Sequence, residues 1–169
     1  MTVHAGDVTN LYSTRNSLPA TVRAQVAELM NRRLADAIDL QSQCKQAHWN
    51  VKGPQFIGLH ELFDDVHADV TGYVDMIAER IVQLGGIAEG TVRVVAERSE
   101  LDEYPIVMAE GAEHARSLST ALAAFGSRIR FAIEEADELE DAGTADLCTE
   151  ISRGVDKWLW FVEGHLQTR

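Results

Sequence analysis

Residues 56–85, FIGLHELFDDVHADVTGYVDMIAERIVQLG, constrain the fold more than any other stretch. They read as one long helix whose polar pattern is nearly a mirror image of itself. His60 and Asp64 are four residues apart near one end, and Asp75 and Glu79 are four apart near the other. Both pairings, His60 with Glu79 and Asp64 with Asp75, share a midpoint between Asp69 and Val70. At about 100° per residue the four side chains fall within an arc of roughly 100°. Asp64 and Asp75 are nevertheless about 16 Å apart along the axis. One ion cannot bridge that gap, so a single chain cannot bring both pairs to one site.

An antiparallel copy of the same helix removes the difficulty. A two-fold axis at the Asp69–Val70 midpoint sets Asp75 and Glu79 of one chain opposite Asp64 and His60 of the other. Two equivalent sites result, as an isologous interface demands. Ala68, Thr71 and Gly72 lie near the axis and are small enough for close approach. A lone His-x-x-x-Asp or Asp-x-x-x-Glu pair is ordinarily a solvated face or an intrahelical pair. The symmetric repetition is what points to metal at a dimer interface.

The chain of 169 residues is long enough for one domain with a sizeable core. No apolar run reaches the roughly 18 residues of a membrane span. The N-terminal stretch lacks the apolar core of a secretory leader. Cys44 and Cys148 sit in helical patterns and read as reduced core thiols of a cytoplasmic protein. A net charge of −12 disfavours general affinity for nucleic acid and favours the attraction of cations.

Residues 1–17 are polar and expected to form a flexible N-terminal tail, with residues 18–169 as the folded domain. Pro19 suits a first helical turn. From there apolar residues recur at helical spacing to about Trp49. Asn50, Gly53 and Pro54 mark a turn, and Gly85-Gly86 ends the second helix. Residues 87–107 make a long crossover with room for a short helix at 91–98. A third helix is expected over 108–136 and a fourth over 144–167, with the break at Gly143. Two αα-hairpins joined by a long crossover are a four-helix bundle of ferritin-like connectivity.

His48 closes the first helix. A single histidine there is more often a cap or a core residue, but the antiparallel hairpin lets it approach His60 as a fifth ligand. His67 lies at the edge of the ligand stripe and is a weaker candidate. His4, His114 and His165 have no partner pattern. Trp158 and Trp160 are two apart and face different ways, one toward the core and the other toward an interface. Lys52 is a candidate partner for a carboxylate.

The segments AHWNVKGPQFIGLHELFDD, MIAERIVQLGG and VDKWLWFVEGHL resemble the Dps family, the miniferritins that protect DNA during starvation. The resemblance covers about residues 20–166. It rests on HWNxxGxxFxxxH followed by Asp, and then on DxxxE. It implies an all-α ferritin-like bundle that assembles as a hollow homo-dodecamer. It implies a ferroxidase that oxidises Fe(II), preferring hydrogen peroxide to oxygen, and stores iron in the shell. The implied ligands are His48, His60 and Asp64 of one subunit with Asp75 and Glu79 of its two-fold mate. Trp49, beside the first ligand, reads as a packing residue, and the resemblance adds a shielding or radical-quenching role.

Carboxylate and imidazole suit iron without a thiolate. The resemblance also implies pores at three-fold axes. The acidic run Asp137, Glu138, Glu140, Asp141 and Asp146 is the place to look for pore-lining residues, a solvated loop being the plain alternative. A second reading is a DNA-compacting protein with secondary iron chemistry, and a third an empty or zinc-occupied cage. Family members that bind DNA do so through Lys- or Arg-rich tails, whereas residues 1–17 hold one Arg and no Lys. DNA binding is therefore expected to be weak or absent.

Overall fold

The computed structural model describes residues 11–167. Five helices follow one another: α1 (Ala20–Asn50), α2 (Phe56–Gln83), α3 (Val92–Arg98), α4 (Gly111–Glu138) and α5 (Ala142–Glu163). No strand occurs among the described residues. α1 packs chiefly on α2 and α4 on α5, and the short α3 lies in the crossover against α1. This is the four-helix bundle that the periodicity predicts. Among the described residues no helix is long and apolar enough to cross a membrane.

The core lies along the bundle axis. Leu34, Leu40, Phe63, Ile77, Leu122, Phe125, Ile129, Ile151 and Val155 are all fully buried or within 1% of it. Burying each such side chain contributes about 1.5–3 kcal/mol. Cys44 and Cys148 are free and buried, and burial pushes both thiols up to about 12. They are inert core residues.

Two helix ends close by the same left-handed motif, α2 at the expected Gly85-Gly86 and α4 before the expected break. α2 closes with Gly85 N–H donating to Val82 O and Gly86 N–H to Ile81 O, at 2.9 Å each. That closure needs a left-handed residue, which Gly85 supplies at φ +88. α4 closes identically, through Glu140 N–H to Asp137 O and Asp141 N–H to Ala136 O. Here the left-handed residue is Glu140 at φ 59, not a glycine. The break therefore falls before Gly143, which lies inside the first turn of α5. Asp141 caps that helix, its side chain accepting from Thr144 N–H. α4 begins later than the expected 108, where the Glu113 carboxylate accepts from Glu110 N–H at 3.3 Å.

Polar residues of α1 lash down the crossover. Asn31 bonds Ile87 O and Glu89 N–H, at 3.0 and 2.9 Å. The fully buried Asp36 accepts from Glu100 N–H at 2.8 Å and pairs with Arg33 at 3.0 Å. Gln43 donates to Asp102 O at 3.1 Å. Hydrogen bonds involve residues 11–17, the described part of the expected tail. Tyr12 N–H donates to Gly85 O at 2.8 Å, and the Asn16 side chain accepts from Leu18 N–H at 2.9 Å. Residues 1–10, His4 among them, lie outside the described part.

Candidate metal centre

The α1–α2 hairpin brings His48 and His60 face to face. Gly53, at φ +104, permits the tight connection. The two rings stack with centroids 3.7 Å apart at 24°. His48 Nδ1 lies 2.8 Å from His60 O, and His60 Nδ1 lies 2.8 Å from His48 O. A carbonyl only accepts, so each Nδ1 must carry the hydrogen. In the neutral imidazoles both Nε2 lone pairs are then left free, oriented by a reciprocal lock that main-chain atoms alone complete. That lock is the arrangement a pair of metal-ligating histidines needs.

Asp64 stands one turn beyond His60, with Oδ1 3.9 Å from His48 Nδ1. Lys45 donates a short hydrogen bond to the same carboxylate. This bond holds the Asp64 carboxyl below the usual carboxylate range, so it is ionised. Lys45 is the residue that sequence reasoning missed. Its signal was its place three residues before His48 on α1, one turn from the ligand. Lys52 instead contributes its backbone, donating to Ala109 O at 2.9 Å. His67 is half-buried, and burial followed by the Lys45 charge pushes its imidazole down.

Asp75 and Glu79 are exposed on the second half of α2, away from the histidines. Among the described residues no three His, Cys, Asp or Glu side chains converge on one cation position. Ala68, Thr71 and Gly72 between the two halves are exposed, and nothing lies within 4 Å of a Cβ built on Gly72. Asp69 faces α5, where its Oδ2 accepts from Trp158 Nε1 at 2.7 Å and lies 3.6 Å from Lys157 Nζ. Trp158 is 6% exposed and Trp160 66%, as their spacing predicts for one core and one surface indole.

Trp49 is 67% exposed, so packing within its own subunit does not explain it. Of the acidic run, Asp137, Glu138, Glu140 and Asp146 are exposed. Asp141 is buried, so its carboxylate is not presented to solvent as a pore lining would be. It is 3% exposed and accepts from Arg80 Nη2 at 2.7 and 2.9 Å, while Thr144 Oγ1 donates to it at 2.6 Å. His114 is a core residue, its Nδ1 2.7 Å from the Tyr104 hydroxyl.

The family model of the ferritin-like domain matches residues 27–169. The DNA protection during starvation protein of Agrobacterium fabrum is 42% identical over 158 residues, covering 94% of this chain and 98% of that one. The chain belongs to the Dps family. Solved Dps structures are similar to it over most of its length. DpsC of Streptomyces coelicolor gives a TM-score of 0.90 at 29% identity, covering 95% of this chain and 94% of that one. The Dps of Microbacterium arborescens in its high iron form gives 0.83 at 34% identity, over 92% of this chain and 99% of that one. Dps membership accounts for the ferritin-like fold.

Proposed function

We propose that this Dps chain oxidises Fe(II), with hydrogen peroxide in preference to oxygen, and stores the ferric product inside a hollow homo-dodecamer. Each dinuclear site takes His48, His60 and Asp64 from one subunit and Asp75 and Glu79 from its two-fold mate. The observation that carries the reading is the reciprocal Nδ1–carbonyl lock of His48 and His60, which frees both Nε2 atoms beside the ionised Asp64. Imidazole and carboxylate are donors that iron accepts. Lys45 holds the Asp64 carboxylate, so iron binding there exchanges one positive charge for another.

The electron balance is simple. Two Fe(II) ions give one electron each to a peroxide, its O–O bond breaks, and two protons complete two waters. No hydroxyl radical leaves a site that holds both irons. Trp49, exposed beside His48, is placed to shield the centre or to quench a stray radical. The negative surface favours cation entry, and Asp137 and Asp146 remain the candidate pore residues. Oxidative protection is the consequence of removing both reagents together.

The test is to load Fe(II) without oxygen and titrate peroxide while following ferric absorbance. About two Fe(II) should be consumed per peroxide, as a two-metal site requires. One iron per peroxide with trapped hydroxyl radical would overturn the reading, and so would occupancy by zinc alone. DNA binding is expected to be weak or absent, because a net charge of −12 leaves few cations for phosphate. A gel shift at low salt should show no tight complex, and a tight one would restore the DNA-compacting alternative.

A further inference from the structure

The ligand stripe on α2 continues past its ligands at both ends. Ile57 lies about one turn before His60, and Val82 about one turn after Glu79. At about 100° per residue both fall within the same roughly 100° arc as the four ligand candidates. They also obey the same mirror relation, since the midpoint of 57 and 82 again lies between Asp69 and Val70. Both are apolar and outward-facing, Ile57 62% exposed and Val82 59% exposed. Val82 is not alone. With Ala78, Glu79, Gln83 and Ala88 it lines a groove of about 510 Å³, open on the face of α2.

We infer that Ile57 of each subunit seats in the Ala78–Val82–Ala88 groove of its two-fold mate, closing each metal site with an apolar contact. The inference rests on the two-fold reading above and names what holds the pair together. The occupant is a second copy of this chain. The mirror relation puts Ile57 opposite Val82 in no partner other than an antiparallel α2.

The seat has a chemical consequence. Glu79 lines the groove, so a side chain filling it excludes water from one side of that carboxylate. Exclusion of water strengthens the attraction of Glu79 for a cation. It also keeps a reactive oxygen species inside the site. Ala68 and Thr71, paired about the axis, leave the middle of the stripe free for close approach, while the two Ile57–Val82 contacts fix register at its ends.

A cysteine pair tests this directly. The Ile57→Cys/Val82→Cys double variant, treated with diamide, should form disulfides between subunits. Two thiols lose two electrons and two protons to the diamide at each contact. A non-reducing gel should then show most chains as covalent dimers, and Ile57→Cys alone should stay monomeric because its counterpart is Val82. Cys44 and Cys148 are buried and add no background. Separately, Ile57→Asp should split the pair in sedimentation while far-UV circular dichroism stays unchanged, since Ile57 lies outside the subunit core. Adding Val82→Lys should restore the pair. Absence of the covalent dimer, or an Ile57→Asp variant that stays paired, overturns the inference. A covalent dimer formed by a protein that leaves Fe(II) unoxidised would instead overturn the proposed activity and leave this interface standing.

Discussion

Replacing Glu79 with alanine is expected to slow peroxide-driven iron oxidation at least about tenfold, the lower end of what loss of even an outer partner of a metal ligand costs. Asp64→Ala should do the same. Glu79 is exposed, the Asp64 side chain is 49% exposed, and neither belongs to the core. Surface substitutions of this kind shift stability by about 0.5 kcal/mol or less. The expected signature is therefore lost oxidation in a fully assembled protein of unchanged Tm. Stopped-flow ferric absorbance together with sedimentation reads both quantities. Asp64→Ala also releases Lys45, which leaves an uncompensated cation beside the histidines and adds repulsion to the loss of a ligand. Unchanged kinetics in both variants would remove the site assignment.

Asp141→Ala should do the opposite, costing stability and sparing the chemistry. Asp141 accepts from Arg80, from Thr144 Oγ1 and from Thr144 N–H. Removing it strands the largely buried Arg80 and uncaps α5 at once. Breaking one partner of a buried pair costs about 3–5 kcal/mol. Arg80 keeps some solvent access, so about 3 kcal/mol is expected, a fall in Tm of about 6–12 °C for a chain of this size. The pH dependence follows from the same group. Burial pushes the Asp141 carboxyl up, but the Thr144 and Arg80 hydrogen bonds outweigh it and leave the carboxyl below its ordinary value. A depressed carboxyl stabilises the fold fully above the ordinary carboxylate range and loses that contribution as pH falls through the depressed value. The wild-type advantage over Asp141→Ala should therefore be constant near neutrality and shrink in acid. Thermal unfolding across that range measures it, and an equal gap at all pH values would refute the linkage.

The same residue shows what was legible in the sequence. The helices and their pairing could be read because apolar periodicity and glycine punctuation are local signals. The ends of α4 and α5 could not. Glu140 takes a left-handed conformation that a glycine search does not flag, so Gly143 drew the break to itself. Asp141 looked like one of several surface acids because its partner, Arg80, lies 61 residues away in the chain. Burial decided by a distant cation leaves no trace in local composition. The candidate site was legible for a related reason. Its five residues fall on two helix faces at helical spacing, and only the fold's hairpin was needed to bring His48 to His60. Lys45 escaped because a lysine one turn from a ligand is an ordinary surface residue until Asp64 is placed beside it.

Subunit complementation tests most directly whether two chains share each iron site. One chain carries His60→Ala/Asp64→Ala and the other Asp75→Ala/Glu79→Ala, with different tags for co-purification. Each assembled alone should be inactive. Co-expressed, half of the two-fold pairs should be mixed, and each mixed pair should hold one intact site of two. Peroxide-driven oxidation should then return to about a quarter of the wild-type rate, as an isologous pair requires. Mixed assemblies that stay as inactive as either parent would contradict a site shared across the dyad.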